Sequence, residues 1–127
     1  MAVELIVVRR GKLLLIKRAI KPLPGSWHLP GGLVGFNEPF SRAVQRVAKK
    51  EFGARVKIKK FWGVYNYRRG DPRGNFIGLV HIVEPLGHIR LNTREGTAFA
   101  WFDHLPRETT PWQKPLIRVV LPGRFKN

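Results

Sequence analysis

The residues between Gly31 and Gly53 have the types and spacing from which chemistry can be built. Phe40, Ala43, Val44, Val47 and Ala48 recur with the 3–4 residue period of one apolar helix face. At about 100° per residue, Glu51 projects into the middle of that face. A carboxylate in an apolar stripe is either half of a buried ion pair with one of the many arginines or a ligand for a hard cation such as Mg2+, which takes carboxylate, carbonyl and water oxygens. Just upstream, Gly31, Gly32 and Gly35 let the backbone come close to a metal or to phosphates, and the helix start adds its own attraction for anions. Lys50, beside Glu51, is either a phosphate contact or a solvated lysine.

These residues need elements to hold them. The periodicity predicts a helix over Glu38 to Phe52, with Asn37 as N-cap, Pro39 in the first turn and Gly53 as the stop. Val3 to Val8 and Lys12 to Lys17 read as two strands of a hairpin turning at Arg9, Arg10 and Gly11. Ala19 to Gly35 carries three prolines and four glycines, too broken for regular structure, and reads as a loop passing over a ligand. Arg55 to Tyr65, Phe76 to Glu84 and Ala98 to Phe102 read as strands, joined by Arg68 to Asn75 and by Pro85 to Glu95. Thr110 to Leu121 reads as a short last helix weakened by Pro111 and Pro115, before a mobile tail. Strands with an inserted helix indicate an α+β or mixed α/β fold.

With 127 residues, 43% hydrophobic and 25% charged, the chain is expected to form one globular domain, residues 1–127. No apolar run is long enough to span a bilayer and the start does not read as a signal peptide, so no membrane partner and a cytoplasmic location are expected. The absence of cysteine excludes disulfides, thiolate metal sites and a cysteine nucleophile. The net charge of +16, from 24 Lys and Arg against 8 Asp and Glu, attracts nucleotides, RNA or other polyanions. That charge is spread through Lys57 to Lys60, Arg68 to Arg73, Arg90 to Arg94 and Arg118 to Lys126, without a single patch in the sequence. A single methionine, ten prolines and no cysteine also fit thermal adaptation, which is compatible with any of these functions.

The run GLVGFNEPFSRAVQRVAKKEFGA, from Gly32 through Glu38 and Arg46 to Glu51 and Gly53, resembles the Nudix box, G-x5-E-x7-R-E-U-x-E-E-x-G-U with U aliphatic. Val47 and Lys50 stand where the box has two of its glutamates. KRAIKPLPGSWHLPGG upstream, and Glu95 six positions before Trp101, extend the likeness over roughly Val3 to Leu105. The resemblance implies a mixed β-sheet sandwiched between helices, and Mg2+- or Mn2+-dependent hydrolysis of a nucleoside diphosphate derivative. Loss of two box glutamates removes negative charge from a multi-metal site and leaves a set suited to one cation.

In layout, including the later FWGVYNY, the chain is similar to the GDP-mannose mannosyl hydrolase branch, which attacks the sugar carbon and works with a reduced box. That similarity implies metal ligation by Gly31, Glu51 and Glu95. It also implies neutralisation of the leaving diphosphate by Lys17 or Arg18 and by Arg46, and contact of Glu4 with base or ribose. The branch's base is a histidine where Gly96 stands here, leaving His28, His81, His88 and His104 as replacements. Leu33 stands where the branch has an arginine. A homodimer is a further expectation from the resemblance. The competing reading is a catalytically impaired module that binds RNA or nucleotides. On that reading Phe61, Trp62, Tyr65 and Tyr67, interleaved with Lys57, Lys59, Lys60, Arg68 and Arg69, stack on bases while the cations neutralise phosphates.

Overall fold

The structure, a computed structural model, describes residues 1–67, 76–91, 96–123 and 125. Its frame is β1 (Ala2–Arg9), a strand of alternating sides: Val3, Leu5 and Val7 enter one core cluster and Ile6 the other. β1 pairs in parallel with β6 (Phe76–Leu86) from Ala2 to Val7. Its other edge is shared: Val8 and Arg9 pair with β2 (Lys12–Arg18), and Ala2 to Glu4 pair with β4 (Gly31–Leu33). β3 (Trp27–His28) and β7 (Gly96–Phe102) add to β2, and β5 (Arg55–Tyr67) runs antiparallel along β6. The resulting order is β3-β2-β1-β6-β5, a mixed sheet as expected.

A helix covers each face. α1 (Phe40–Phe52) lays Ala43, Val44, Val47, Ala48 and Phe52 on Val3, Leu5 and Leu79. A 3-10 turn (Pro111–Gln113) running into α2 (Lys114–Val120) lays Trp112, Leu116 and Ile117 on Ile6, Leu13 and Leu15. Pro115 is tolerated because it sits in the first turn of α2, where its missing N–H has no partner to lose.

Three sequence expectations change. α1 begins two residues later than predicted: Pro39, in extended geometry, is its N-cap, whereas Asn37 has φ 54° and lies in the turn before it. Phe40 is 42% exposed and leaves the apolar face to the residues after it. The stretch Ala19 to Gly35 contains β3 and β4, so its second half is sheet. Gly53 ends α1 as expected, at φ 68°, its N–H donating to Lys49 O at 3.0 Å. β5 extends to Tyr67 with register shifts near Lys59 and Trp62, where an extra residue re-aims the strand. The connection Arg68 to Asn75 and the tail lie largely or wholly outside the described residues.

Candidate active site

A cleft of about 460 Å³ is bounded by β1, β4, α1, the loop after β2, the start of β6 and Gln113. Glu4 and Glu51 line it together with Arg18, Lys21, Arg46 and Lys50, so two carboxylates meet four cations. Glu51 is 5% exposed, the buried carboxylate that the helix period predicts. It arrives there because α1 ends one residue beyond it and the same helix face is anchored in the core.

Glycines set the tightness of the cleft floor. A Cβ on Gly31 would lie 2.7 Å from Glu4 Oε2 and 2.9 Å from Val3 O, so β4 approaches β1 as closely as it does only with glycine there. A Cβ on Gly32 would lie 3.0 Å from Val47 Cγ2, so Val47 fills the space under β4. Val47 is 2% exposed. The position where the family motif has a glutamate is therefore a packing position in this chain. Lys50, at the other substituted position, is exposed at the cleft.

The arginines are not uniformly available. Arg46 donates from Nε and Nη2 to Glu38, both at 2.8 Å, and from Nη2 to Leu33 O at 2.7 Å. Glu38 in turn accepts from Gly35 N–H at 2.8 Å. The Arg46 hydrogen bonds and that of Gly35 hold the Glu38 carboxyl down at about 2, and Glu38 raises Arg46. This pair fixes the turn from Leu33 to Glu38. Arg18 donates to the carbonyls of Pro22 at 2.7 Å, Lys21 at 2.9 Å and Ile20 at 3.3 Å, so it shapes the loop that walls the cleft as well as charging it.

Other predicted residues fall elsewhere. Lys17 does not line the cleft; its Nζ lies 5.8 Å from the Trp27 ring. Tyr65 and Tyr67 also lie outside the lining, their rings 5.0 Å apart against the α2-side core, where Tyr67 is 4% exposed. Tyr67 nevertheless touches the site's frame, since it and Glu4 are the side chains a Cβ on Gly78 would meet. Glu95 lies outside the described residues. Gly96 is buried, and a Cβ there would lie 2.6 Å from Ile16 Cγ2, so no side chain fits at that position without movement.

Of the four histidines, His28 lines the cleft. His81 is buried on β6 beside Phe61, and burial pushes its pKa down. His88 is exposed after β6, and His104 pairs with Asp103 on the surface. His28 Nδ1 lies 2.8 Å from Leu29 O. A carbonyl only accepts, so Nδ1 carries the hydrogen and Nε2 of the neutral ring carries the lone pair. Sequence reasoning missed Phe76 and Gln113 as lining residues. Gln113 is 5% exposed and accepts from Leu29 N–H at 2.8 Å, a role detectable beforehand only as a polar residue between Trp112 and Leu116.

Among the described residues no group of three or more His, Asp or Glu side chains converges on one point. Glu4, Glu51 and the Gly31 backbone are the groups of the cleft lining that could hold a hard cation, a class of ion that also takes water and substrate oxygens. No helix among the described residues is long and apolar enough to cross a membrane.

Similarity to known proteins follows the same lines. Over 86 residues the chain is 42% identical to an ADP-ribose pyrophosphatase of Methanocaldococcus jannaschii, covering 68% of this chain and 51% of that protein. Over 97 residues it is 36% identical to a MutT-like protein of Streptomyces ambofaciens, covering 76% and 58%. The chain thus spans about half the length of these curated relatives. Among solved structures, a MutT NUDIX hydrolase from Burkholderia pseudomallei superposes with a TM-score of 0.74 at 30% identity, covering 87% of this chain and 88% of that one. A sequence model of the NUDIX domain matches residues 1–119, and with the mixed sheet, the flanking helices and the Gly32–Gly53 motif in place, the chain belongs to the Nudix family.

Proposed function

We propose that the chain is a hydrolase of nucleoside diphosphate derivatives, using one divalent cation, Mg2+ or Mn2+, at Glu51. The substrate class is a nucleoside diphosphate joined to a sugar, with GDP-mannose and ADP-ribose as representatives. The observation that carries this reading is the meeting of Glu4 and Glu51 with four cations in one cleft beside Gly31. Family membership supports a divalent cation, and the relative named as an ADP-ribose pyrophosphatase supports a sugar-linked diphosphate.

Glu51, the Gly31 carbonyl and Glu4 are the groups that would hold a cation in the cleft; Glu95 is retained as a ligand by its motif position alone. The cation, when bound, neutralises charge on the diphosphate. Lys50, Lys21 and the Arg18 and Arg46 guanidiniums supply fixed positive charge where the leaving diphosphate develops its own negative charge. His28 accepts the proton of the attacking water at Nε2, a role open here because Gly96 has no room for a histidine. Val47 in the core and Lys50 at the rim favour attack at the sugar carbon, since they leave only Glu51 from the three central box carboxylates.

The test is a panel of nucleoside diphosphate sugars with Mg2+ or Mn2+ in heavy-oxygen water. Label in the released sugar supports this reading, and label in phosphate moves the attack to phosphorus. Release of neither sugar, nucleotide nor phosphate from any member overturns it.

One observation favours a second reading, a module that binds RNA. Arg55, Lys57, Lys59 and Lys60 are exposed along edge strand β5 next to Phe61, which is 47% exposed. On that reading RNA affinity falls steeply with salt, and an affinity independent of salt excludes it.

A further inference from the structure

The cleft cations differ in what already engages them. Arg46 is held by Glu38 and the Leu33 carbonyl, and Arg18 by three loop carbonyls. The ammonium groups of Lys21 and Lys50 make no hydrogen bond or ion pair among the described residues. Lys21 sits on an irregular loop, whereas Lys50 rides on the last turn of α1, adjacent to Glu51 and to the left-handed Gly53 cap that ends the helix. Its backbone is therefore fixed while its ammonium is uncommitted. The three positions that are all glutamate in the family motif carry here a neutral valine, a lysine and a glutamate, with no net charge.

A multiply charged anion entering a carboxylate-lined cleft needs positive charge there first. In this chain some of that charge is covalently installed. We propose that Lys50 acts as a built-in counter-ion, so that the cleft holds a diphosphate without any divalent cation and needs the cation for hydrolysis alone. This rests on the reading of the cleft as a diphosphate site. It separates binding from metal loading, and identifies Lys50 as the residue responsible.

Titration calorimetry with ADP and with inorganic pyrophosphate, each in EDTA and in Mg2+, tests it. The wild-type chain is expected to bind one ADP in EDTA within about tenfold of its affinity in Mg2+. Lys50→Ala is expected to lose about 10- to 100-fold in EDTA, the fold-change equivalent of one charge-assisted hydrogen bond. Lys50→Glu is expected to bind in Mg2+ only, because its carboxylate repels the anion until a cation offsets it. Lys50 is exposed, so these variants keep the fold, checked by circular dichroism, and Lys12→Ala, on an exposed lysine outside the cleft, controls for general charge. If wild-type binds ADP in Mg2+ but not in EDTA, or Lys50→Ala binds in EDTA as well as wild-type, the proposal is overturned while the diphosphate site stands. If neither anion binds under either condition, both readings fall.

Discussion

Val47→Glu restores the residue that the family motif places at this position, and the structure predicts that the restoration fails. The valine is 2% exposed, packed with Val3, Val44 and Leu79 on one side and against Gly32 on the other. Two penalties follow. Exchanging buried methyl groups for a longer polar chain in a filled space costs about 1–3 kcal/mol even with the carboxyl neutral. Ionising it there adds to that, for a total of about 3–5 kcal/mol near pH 7.5. At roughly 3–5 °C per kcal/mol for a chain of this size, melting falls by roughly 10–25 °C.

The pH dependence separates the two penalties. Burial raises the folded-state pKa of the new carboxyl above its unfolded value of about 4.3. The ionisation penalty is therefore absent below about pH 4.3 and grows by about 1.4 kcal/mol per pH unit until the folded pKa is passed. Thermal denaturation of both proteins in EDTA from pH 4.5 to 8 reads the difference. A deficit that widens with pH supports the packing described here. A variant as stable as wild-type at pH 7.5, or a deficit that does not change with pH, refutes it, since the carboxylate must then reach water past Gly32.

Four further outcomes are expected. Glu51→Gln abolishes cation-dependent turnover, at least about 100-fold; a variant with more than a tenth of wild-type turnover counts against Glu51 as the cation ligand. His28→Gln lowers kcat about 10²- to 10⁴-fold and flattens the acid limb of the pH–rate profile, with ADP affinity in calorimetry unaltered. Gln45→Leu removes the hydrogen bonds that the amide makes with both Val56 O, at 2.6 Å, and Val56 N–H, at 3.0 Å, and costs about 2–4 kcal/mol in denaturant unfolding. His81 has a folded pKa depressed below 6.5 by burial, so its contribution to stability is present above pH 6.5 and is lost as pH falls through the folded value; His81→Leu is expected to flatten the acid side of the melting curve over that window.

The parts of the fold legible in the sequence are those whose signal is internal to the element. α1 declares itself by the period of its own apolar residues and by Gly53, and that period alone places Glu51 correctly. β3 and β4 have two and three residues and no pattern of their own; Ile16, Lys17 and Ala2 to Glu4 define them as partners, and partners are not visible in a linear reading. The site shows the same division. Glu4 and Arg18 line the cleft, but the commitment of Arg18 to three carbonyls and of Arg46 to Glu38 depends on how the turns close. Tyr65 and Tyr67 read as stacking residues because alternating aromatics on a basic strand have the same pattern whether they face a nucleotide or a core.

The position of β1 has a consequence for how the protein is made. Glu4 rides on the first strand, but that strand's parallel partner is distant in sequence: Arg9 donates to Pro85 O across 76 residues. At bacterial-type synthesis speeds that separation is about 4–15 s of translation. For that interval β1, rich in valine, leucine and isoleucine, has an unpaired edge while it waits on the ribosome. The cleft's first carboxylate is thus synthesised well before the strand that positions it, and a pause before Phe76 lengthens the exposure of β1.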